Sequence, residues 1–227
     1  MRPLHAAIAV ALALAPLAAS AQDSSPQITY TFENPQLQPA SYTILIREDG
    51  SGHFRSTAGP SAGPASDDDV APGALDRDIR IEDPLRTQLF RYARSHHFFA
   101  EKCDHGAKNI AFTGKKTLTW SSPDAHGSCT FDWASDPVLQ HISDQLVSTA
   151  FTLEEGRRLD VELKHSRLGL DAELATLQDA AKDQRAVGLN NIAPELESIA
   201  QDEEIMQRAR ARANALLRMT SSQESRR

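Results

Sequence analysis

Two short segments of the chain combine cysteine and histidine at spacings that suit metal or thiol chemistry. One contains Cys103 and His105, and the other contains His126 and Cys129. A tetrahedral zinc ion accepts two thiolates and two imidazoles, and the His-x-x-Cys spacing suits one half of such a site. The Cys-x-His spacing is tighter than is usual for zinc ligands. The other interpretation is a disulfide between the two cysteines of the chain.

The N-terminus favours the disulfide because it carries the pattern of an export signal. Residues 1–21 combine a basic start, an apolar run and the small residues Ala-Ser-Ala before a polar stretch. This is the pattern of a cleaved signal peptide, and the apolar run is too short for a comfortable transmembrane span. We therefore expect cleavage after Ala21 and a periplasmic or secreted location of the bacterial type. No stable membrane association is expected after cleavage.

Export favours pairing of the cysteines. Exported proteins with an even cysteine count usually form disulfides. The alternation around Cys129 places it with the inward-facing residues of a predicted strand. A bond between Cys103 and Cys129 would stabilise the fold by about 3 kcal/mol in the chain-entropy model. The sequence therefore predicts this disulfide rather than a thiolate site.

Histidines offer an alternative metal site that needs no thiolate. His105, His126 and His97 could together bind zinc, copper or nickel in the periplasm. A competing interpretation applies to His96 and His97, which end a predicted helix where an imidazolium interacts favourably with the helix dipole. We favour the helix-end interpretation, and no metal or other cofactor is predicted.

Catalytic motifs have little support in the sequence. Ser128 lies near a histidine in "HGSC", but sequence neighbours do not define a triad, and no G-x-S-x-G elbow occurs. The chain also has no C-x-x-C motif and no phosphate-binding loop of the Walker or dinucleotide type. No catalytic residue is predicted, and a hydrolase with an unrecognised site is the least favoured class. The formal net charge of -7 argues against nucleic acid as a partner.

Hydrophobic patterning predicts an α+β fold followed by a helical segment. Alternating segments predict strands at 27–32, 42–47, 53–56 and 77–81, and a three-stranded meander at 109–112, 116–120 and 128–133. Two Asp-Pro pairs, at Asp83 and Asp136, predict helix starts. Thr152 and Glu155 have the spacing of a capping box, which predicts the start of the helical segment.

The predicted organisation has four parts after the signal peptide. They are a disulfide-linked antiparallel α+β domain at 22–151, a flexible loop within it at 57–76, a helical segment at 152–219 and a disordered tail at 220–227. The helical segment presents a long, charged surface, which makes it the better candidate for contact with a protein partner. We predict an exported, soluble, non-catalytic binding or interaction protein. A periplasmic metal-binding protein that uses the Cys/His cluster is the alternative.

Overall fold

The computed structural model describes residues 25–58, 73–104, 106 and 111–224. Several predictions fall outside these residues. They are the signal peptide at 1–21 with its cleavage after Ala21, most of the loop at 57–76, the position of His105, and the last three residues of the tail.

In the part of the chain that the structure describes, six strands form one antiparallel sheet in the order β4-β3-β2-β1-β5-β6. The alternation of Thr with Ile, Tyr and Phe in β1 turns one face of the sheet towards the core. On the opposite face, hydroxyls pair between strands, as in the 3.0 Å contact of Thr117 Oγ1 with Thr130 Oγ1. The strands are β1 Gln27–Glu33, β2 Ser41–Arg47, β3 Ser51–Thr57, β4 Leu75–Arg80, β5 Lys115–Ser121 and β6 His126–Phe131.

Within the described residues, five α-helices complete the α+β fold that the sequence predicts. Asp136 caps α2 as expected, because its carboxylate accepts a 2.7 Å hydrogen bond from the backbone N–H of Val138. At the other Asp-Pro pair the helix begins one residue later than predicted, and Asp83 accepts a hydrogen bond from the N–H of Thr87. The helices are α1 Leu85–Ser95, α2 Pro137–His165, α3 Leu170–Lys182, α4 Ala193–Gln201 and α5 Gln207–Glu224.

The meander differs from the prediction in its first strand. Residues 109 and 110 lie outside the described residues, and Ala111 and Phe112 belong to no strand. The side chain of Phe112 is 58% exposed, so this short alternation does not correspond to a buried face. Instead, β5 pairs with β1, and Thr117 lies opposite Thr31. This long-range pairing joins the two groups of strands into one sheet.

Helix α2 crosses the predicted boundary at 151/152 without a break. It has 29 residues, and the hydroxyl of Thr152 donates to the carbonyl of Ser148 within the helix. The capping-box prediction was therefore wrong. The helix continues because its buried stripe, which includes Ile142 and Leu146, extends to Leu153. Packing of this stripe in the core outweighs the local signal for a new helix start. The sheet and the C-terminal helices thus share one hydrophobic core.

The C-terminal helix buries its small apolar stripe within the protein. Ala209, Ala213 and Leu216 are fully buried where α5 packs on α3 and α4. On the same helix, Arg208 and Arg212 form ion pairs with Asp171 of α3, at 2.7 and 3.0 Å. The helix extends to Glu224, so residues 220–224 of the predicted disordered tail are helical. No helix among the described residues is both long enough and apolar enough to cross a membrane.

A buried carboxylate lies between α2 and α3. The side chain of Glu155 is 5% exposed, and Arg158 lies between it and Glu173, at 3.5 and 3.8 Å. Burial raises the pKa of Glu155 to about 7, and the neighbouring carboxylate of Glu173 adds to the shift, which Arg158 partly offsets. The folded chain therefore keeps a proton on Glu155 at pH values where the unfolded chain has lost it.

The Glu155→Gln substitution is expected to stabilise the protein at high pH only. The pKa of Glu155 rises from 4.5 to about 7 on folding, so its stabilising contribution is complete at low pH and is lost as the pH rises through this window. The variant should gain about 1–2 kcal/mol in free energy of unfolding at pH 8 and almost nothing at pH 4. Urea denaturation at both pH values measures the difference. Glu197→Gln, at an exposed position of α4, is the control, and a gain that does not change with pH would contradict the argument.

Candidate functional site

The two cysteines form a disulfide. The Sγ atoms of Cys103 and Cys129 are 2.26 Å apart, and their Cα atoms are 5.9 Å apart. Both residues are buried, and the chain contains no free cysteine. The disulfide prediction is confirmed. The tetrahedral zinc hypothesis needed both sulfurs as thiolate ligands, and this bond removes them.

The predicted histidine cluster is not assembled by the described residues. His126 is an exposed residue at the start of β6, whereas His97 follows α1 and pairs with Glu101. His96 stacks on the ring of Tyr92 at 3.9 Å, and its Nε2 atom lies 3.6 Å from Asp136. His105 lies outside the described residues. Within the described part of the chain, no group of three His, Cys, Asp or Glu residues has the arrangement of a metal site.

The hydroxyl of Ser128, the serine of the "HGSC" segment, forms hydrogen bonds within the sheet. Ser128 lies on the hydroxyl-rich face, opposite in direction to Cys129. Its Oγ atom donates to the carbonyl of Leu118 at 3.1 Å and contacts Thr119 Oγ1 at 3.1 Å. Neither neighbour is a general base, so these contacts do not activate the hydroxyl for nucleophilic attack.

A cleft of about 590 Å³ opens where the sheet, α1 and the C-terminal helices meet. Its volume lies in the ~300–1,000 Å³ range that is typical of small-ligand sites. The start of α1 forms one wall, the N-terminal half of α2 forms the floor, and the connection after α3 forms the other wall. The lining side chains that matter below are Leu85, Gln88, His141, Gln145, Thr149, Ala186 and Val187.

Helical periodicity aligns the polar residues of the floor. His141, Gln145 and Thr149 are four residues apart along α2, so they lie on one stripe of the helix. The hydroxyl of Thr149 is satisfied within the helix by the carbonyl of Gln145, at 2.9 Å. The other two side chains point from the same stripe towards the cleft, where Gln88 faces them from α1.

The far wall is attached to the edge of the sheet by Asn191. Its side-chain oxygen accepts from the backbone N–H of Arg80 at 2.7 Å, and its amide nitrogen donates to the carbonyl of Arg80 at 3.0 Å. The same nitrogen donates to the carbonyl of Gly188 at 3.1 Å. Gly188 has a φ of 75°, a left-handed conformation that glycine adopts readily. One amide therefore holds the turn of the wall and the end of β4 together.

Charged groups at the rim of the cleft are engaged with the protein itself. Asp83 forms an ion pair with Arg86 at 2.7 Å and accepts hydrogen bonds from Thr87. These bonds lower the pKa of Asp83 to about 2, so it is ionised at neutral pH. The carboxylate of Glu82 accepts from the side chain of Asn190 at 3.3 Å. The rim thus offers few uncompensated charges to a ligand.

The polar side chains of the floor, together with Gln88 on the α1 wall, are available for a ligand. The side chains of Gln88, His141 and Gln145 form no hydrogen bond with any residue that the structure describes. Each can both donate and accept a hydrogen bond, and all lie beside the aliphatic side chains of Leu85 and Val187. The cleft can therefore hold an uncharged molecule that has both amide-like polar groups and aliphatic parts.

The chain matches no protein-family model, and a search of curated proteins finds no similar sequence. The assignment of a function therefore rests on the geometry of the described residues.

The sequence analysis did not identify the cleft. The regular spacing of His141, Gln145 and Thr149 was visible in the sequence, but the same spacing occurs on any solvated helix face. The residues of the two walls lie more than 30 positions before or after this stripe in the sequence. Only the tertiary fold brings them next to it.

Proposed function

We propose that this protein is an exported binding protein without catalytic activity, and that the cleft holds a short, uncharged peptide segment. The observation that carries the proposal is the set of three unpaired hydrogen-bonding side chains beside an aliphatic wall. Binding sites of this kind combine an apolar lining with a few polar groups that fix the orientation of the ligand. Export and the disulfide are mutually consistent, because disulfides persist in oxidising compartments.

A peptide fits the chemistry of the cleft better than a charged metabolite or a sugar does. The amide of glutamine can accept from a peptide N–H and donate to a peptide C=O at the same time. Aliphatic side chains of a peptide would pack on Leu85, Ala186 and Val187. No Phe, Tyr or Trp ring, on which sugar rings stack, occurs among the described residues that line the cleft. A charged ligand would lack a counter-charge on the floor of the cleft.

In the proposed site, the C-terminal helical segment contributes one wall of the cleft. The sequence suggested them as the surface for a protein partner, and residues 184–188 after α3 provide the contact in the proposed site. A partner would present an extended segment to the cleft rather than pack on the length of α5. The apolar stripe of α5 is already buried, which supports this choice.

Catalysis is not part of the proposal because the floor lacks a catalytic arrangement. His141 has no hydrogen-bonded nucleophile or orienting acid among the described residues. General-base catalysis needs a nucleophile and a base within hydrogen-bond reach, and usually a third group that orients the base. The single imidazole of the floor is therefore proposed to bind the ligand rather than to move a proton in a reaction.

Titration of the protein with acetylated and amidated tripeptides of Ala, Val and Leu tests the proposal. Isothermal calorimetry should show saturable binding of at least one of these tripeptides and no binding of maltose. Gln145→Ala should weaken the binding about tenfold, because it removes a donor and an acceptor together. Gln207→Ala, at an exposed position of α5 outside the cleft, is the matched control and should bind as the wild type does.

Two results would contradict the proposed function. One is the absence of saturable binding for the whole set of capped tripeptides. The other is an affinity that Gln145→Ala leaves unchanged, since this would place the bound peptide elsewhere on the protein.

A further inference from the structure

A second groove, of about 600 Å³, lies on another side of α1 and has a different chemical character. Three arginines, Arg86, Arg91 and Arg94, line it together with one carboxylate, that of Glu48. Asp83 lies outside the groove but pairs with Arg86, so the three arginines face two carboxylates and keep an excess of one positive charge, in a chain whose formal net charge is -7. The remaining lining residues are Thr87, Phe90 and Ser95.

Two of the three guanidinium groups are held in place by the fold. Arg94 lies over the rings of Phe90 and Trp120, with 5.8 and 5.6 Å between its Cζ atom and the two ring centroids. Such cation–π contacts favour one orientation of the charged group. Arg86 is held by Asp83 through Nε at 3.2 Å and Nη2 at 2.7 Å, and its Nη1 atom donates to the carbonyl of Glu48 at 3.1 Å.

The third arginine is available. Arg91 is exposed and forms no ion pair with any residue in the described part of the chain. Arg91 precedes Arg94 by three residues along α1, so these two side chains are neighbours on the helix, and Arg86 also lines the groove. Because the fold already holds two of the arginines, only the exposed Arg91 has to be ordered when a ligand binds, so the loss of conformational entropy is small.

We propose that this groove binds a small phosphate-bearing anion. Guanidinium groups bind phosphate oxygens through paired N–H donors. Arg91 has such donors free, and Arg94 can offer its own when Glu48 is displaced, whereas those of Arg86 stay with Asp83, so that Arg86 adds only its charge. The proposal does not depend on the function of the cleft, because none of the groove residues lines the cleft. The overall negative charge of the chain disfavours large polyanions and leaves this groove selective for a small one.

Glu48 acts as an internal competitor in this proposal. Its carboxylate forms an ion pair with Arg94, and both side chains are 45% exposed. An anion that enters the groove displaces this carboxylate from the guanidinium group. Neutralising Glu48 should therefore strengthen anion binding, whereas removing an arginine should weaken it. Opposite effects of neighbouring substitutions distinguish a defined site from general attraction.

Calorimetric titration of the full, oxidised chain with pyrophosphate at low ionic strength tests the proposal. Saturable binding is expected. Arg91→Gln should weaken it about threefold, and Glu48→Gln should strengthen it about threefold, as befits exposed charge pairs. Arg185→Gln is the matched control, because Arg185 is an exposed arginine outside the groove and should not affect binding. Circular dichroism verifies that each variant remains folded.

A second titration, with vesicles of anionic phospholipid, identifies the source of the phosphate. Binding of pyrophosphate but not of vesicles supports a free small molecule, which is the ligand we propose. Binding of vesicles alone overturns that assignment in favour of a lipid headgroup. The proposal also fails if neither probe binds saturably, or if Arg91→Gln and Arg185→Gln have equal effects.

Discussion

Replacing both Cys103 and Cys129 with alanine is expected to lower the free energy of unfolding by about 3 kcal/mol. The disulfide closes a loop with a sequence separation of 26 residues, and its removal restores conformational freedom to the unfolded chain. The closed loop contains β5, which pairs with β1 in the middle of the sheet. Guanidinium denaturation of the wild type and of the double variant, both monitored by circular dichroism, measures the loss.

Reduction of the wild type provides the control for this experiment. Reduced wild type keeps both buried sulfurs, so it separates the effect of the covalent link from the effect of side-chain packing. We expect the reduced protein and the double variant to lose similar amounts of stability. A loss below about 1 kcal/mol in both would mean that the link does not constrain the unfolded chain as the entropy model requires.

Replacing Asn191 with alanine is expected to lower the free energy of unfolding by about 2–3 kcal/mol. The substitution removes the two hydrogen bonds that join Asn191 to Arg80 at the end of β4, and the one that joins it to Gly188 within the connection after α3. It also leaves the N–H group of Arg80 without its side-chain acceptor at a partly buried position. Thermal and denaturant unfolding of the variant measure the loss.

The neighbouring residue offers a matched control for the Asn191 experiment. Asn190 has the same side chain but donates one longer hydrogen bond, of 3.3 Å, to Glu82. Asn190→Ala should cost less than about 1 kcal/mol. Equal losses for the two variants would show that the far wall of the cleft is not held mainly by Asn191.

Local patterns in the sequence were sufficient for most of the strands and for the two Asp-Pro helix starts, one of them to within a residue. The alternation in β1, β2 and β5 reports directly which side chains face the core, and the Asp-Pro pair at Asp136 marks the start of α2. The inward direction of Cys129 also followed from alternation, and it supported the disulfide prediction. Each of these features depends on neighbours within a few positions along the chain.

Features that depend on distant residues were not predictable from the sequence. The continuation of α2 past Thr152 is determined by the helices that pack on both of its halves, whereas the local capping pattern favours a new start. The pairing of β1 with β5 joins residues about 90 positions apart, and no short-range signal encodes it. The cleft has the same origin, because Gln88, Gln145 and Val187 come from three separate regions of the chain.

The most direct test of the proposed binding function is a map of backbone amide chemical shifts during titration with the capped tripeptides. The proposed site predicts changes at residues 85–88, 141–149 and 184–188, which lie around the cleft. Amides in the middle of β2 and β3, which do not line the cleft, should not change. Changes confined to the sheet or to α5, or no change at saturating peptide, would contradict the assignment of the cleft as the binding site.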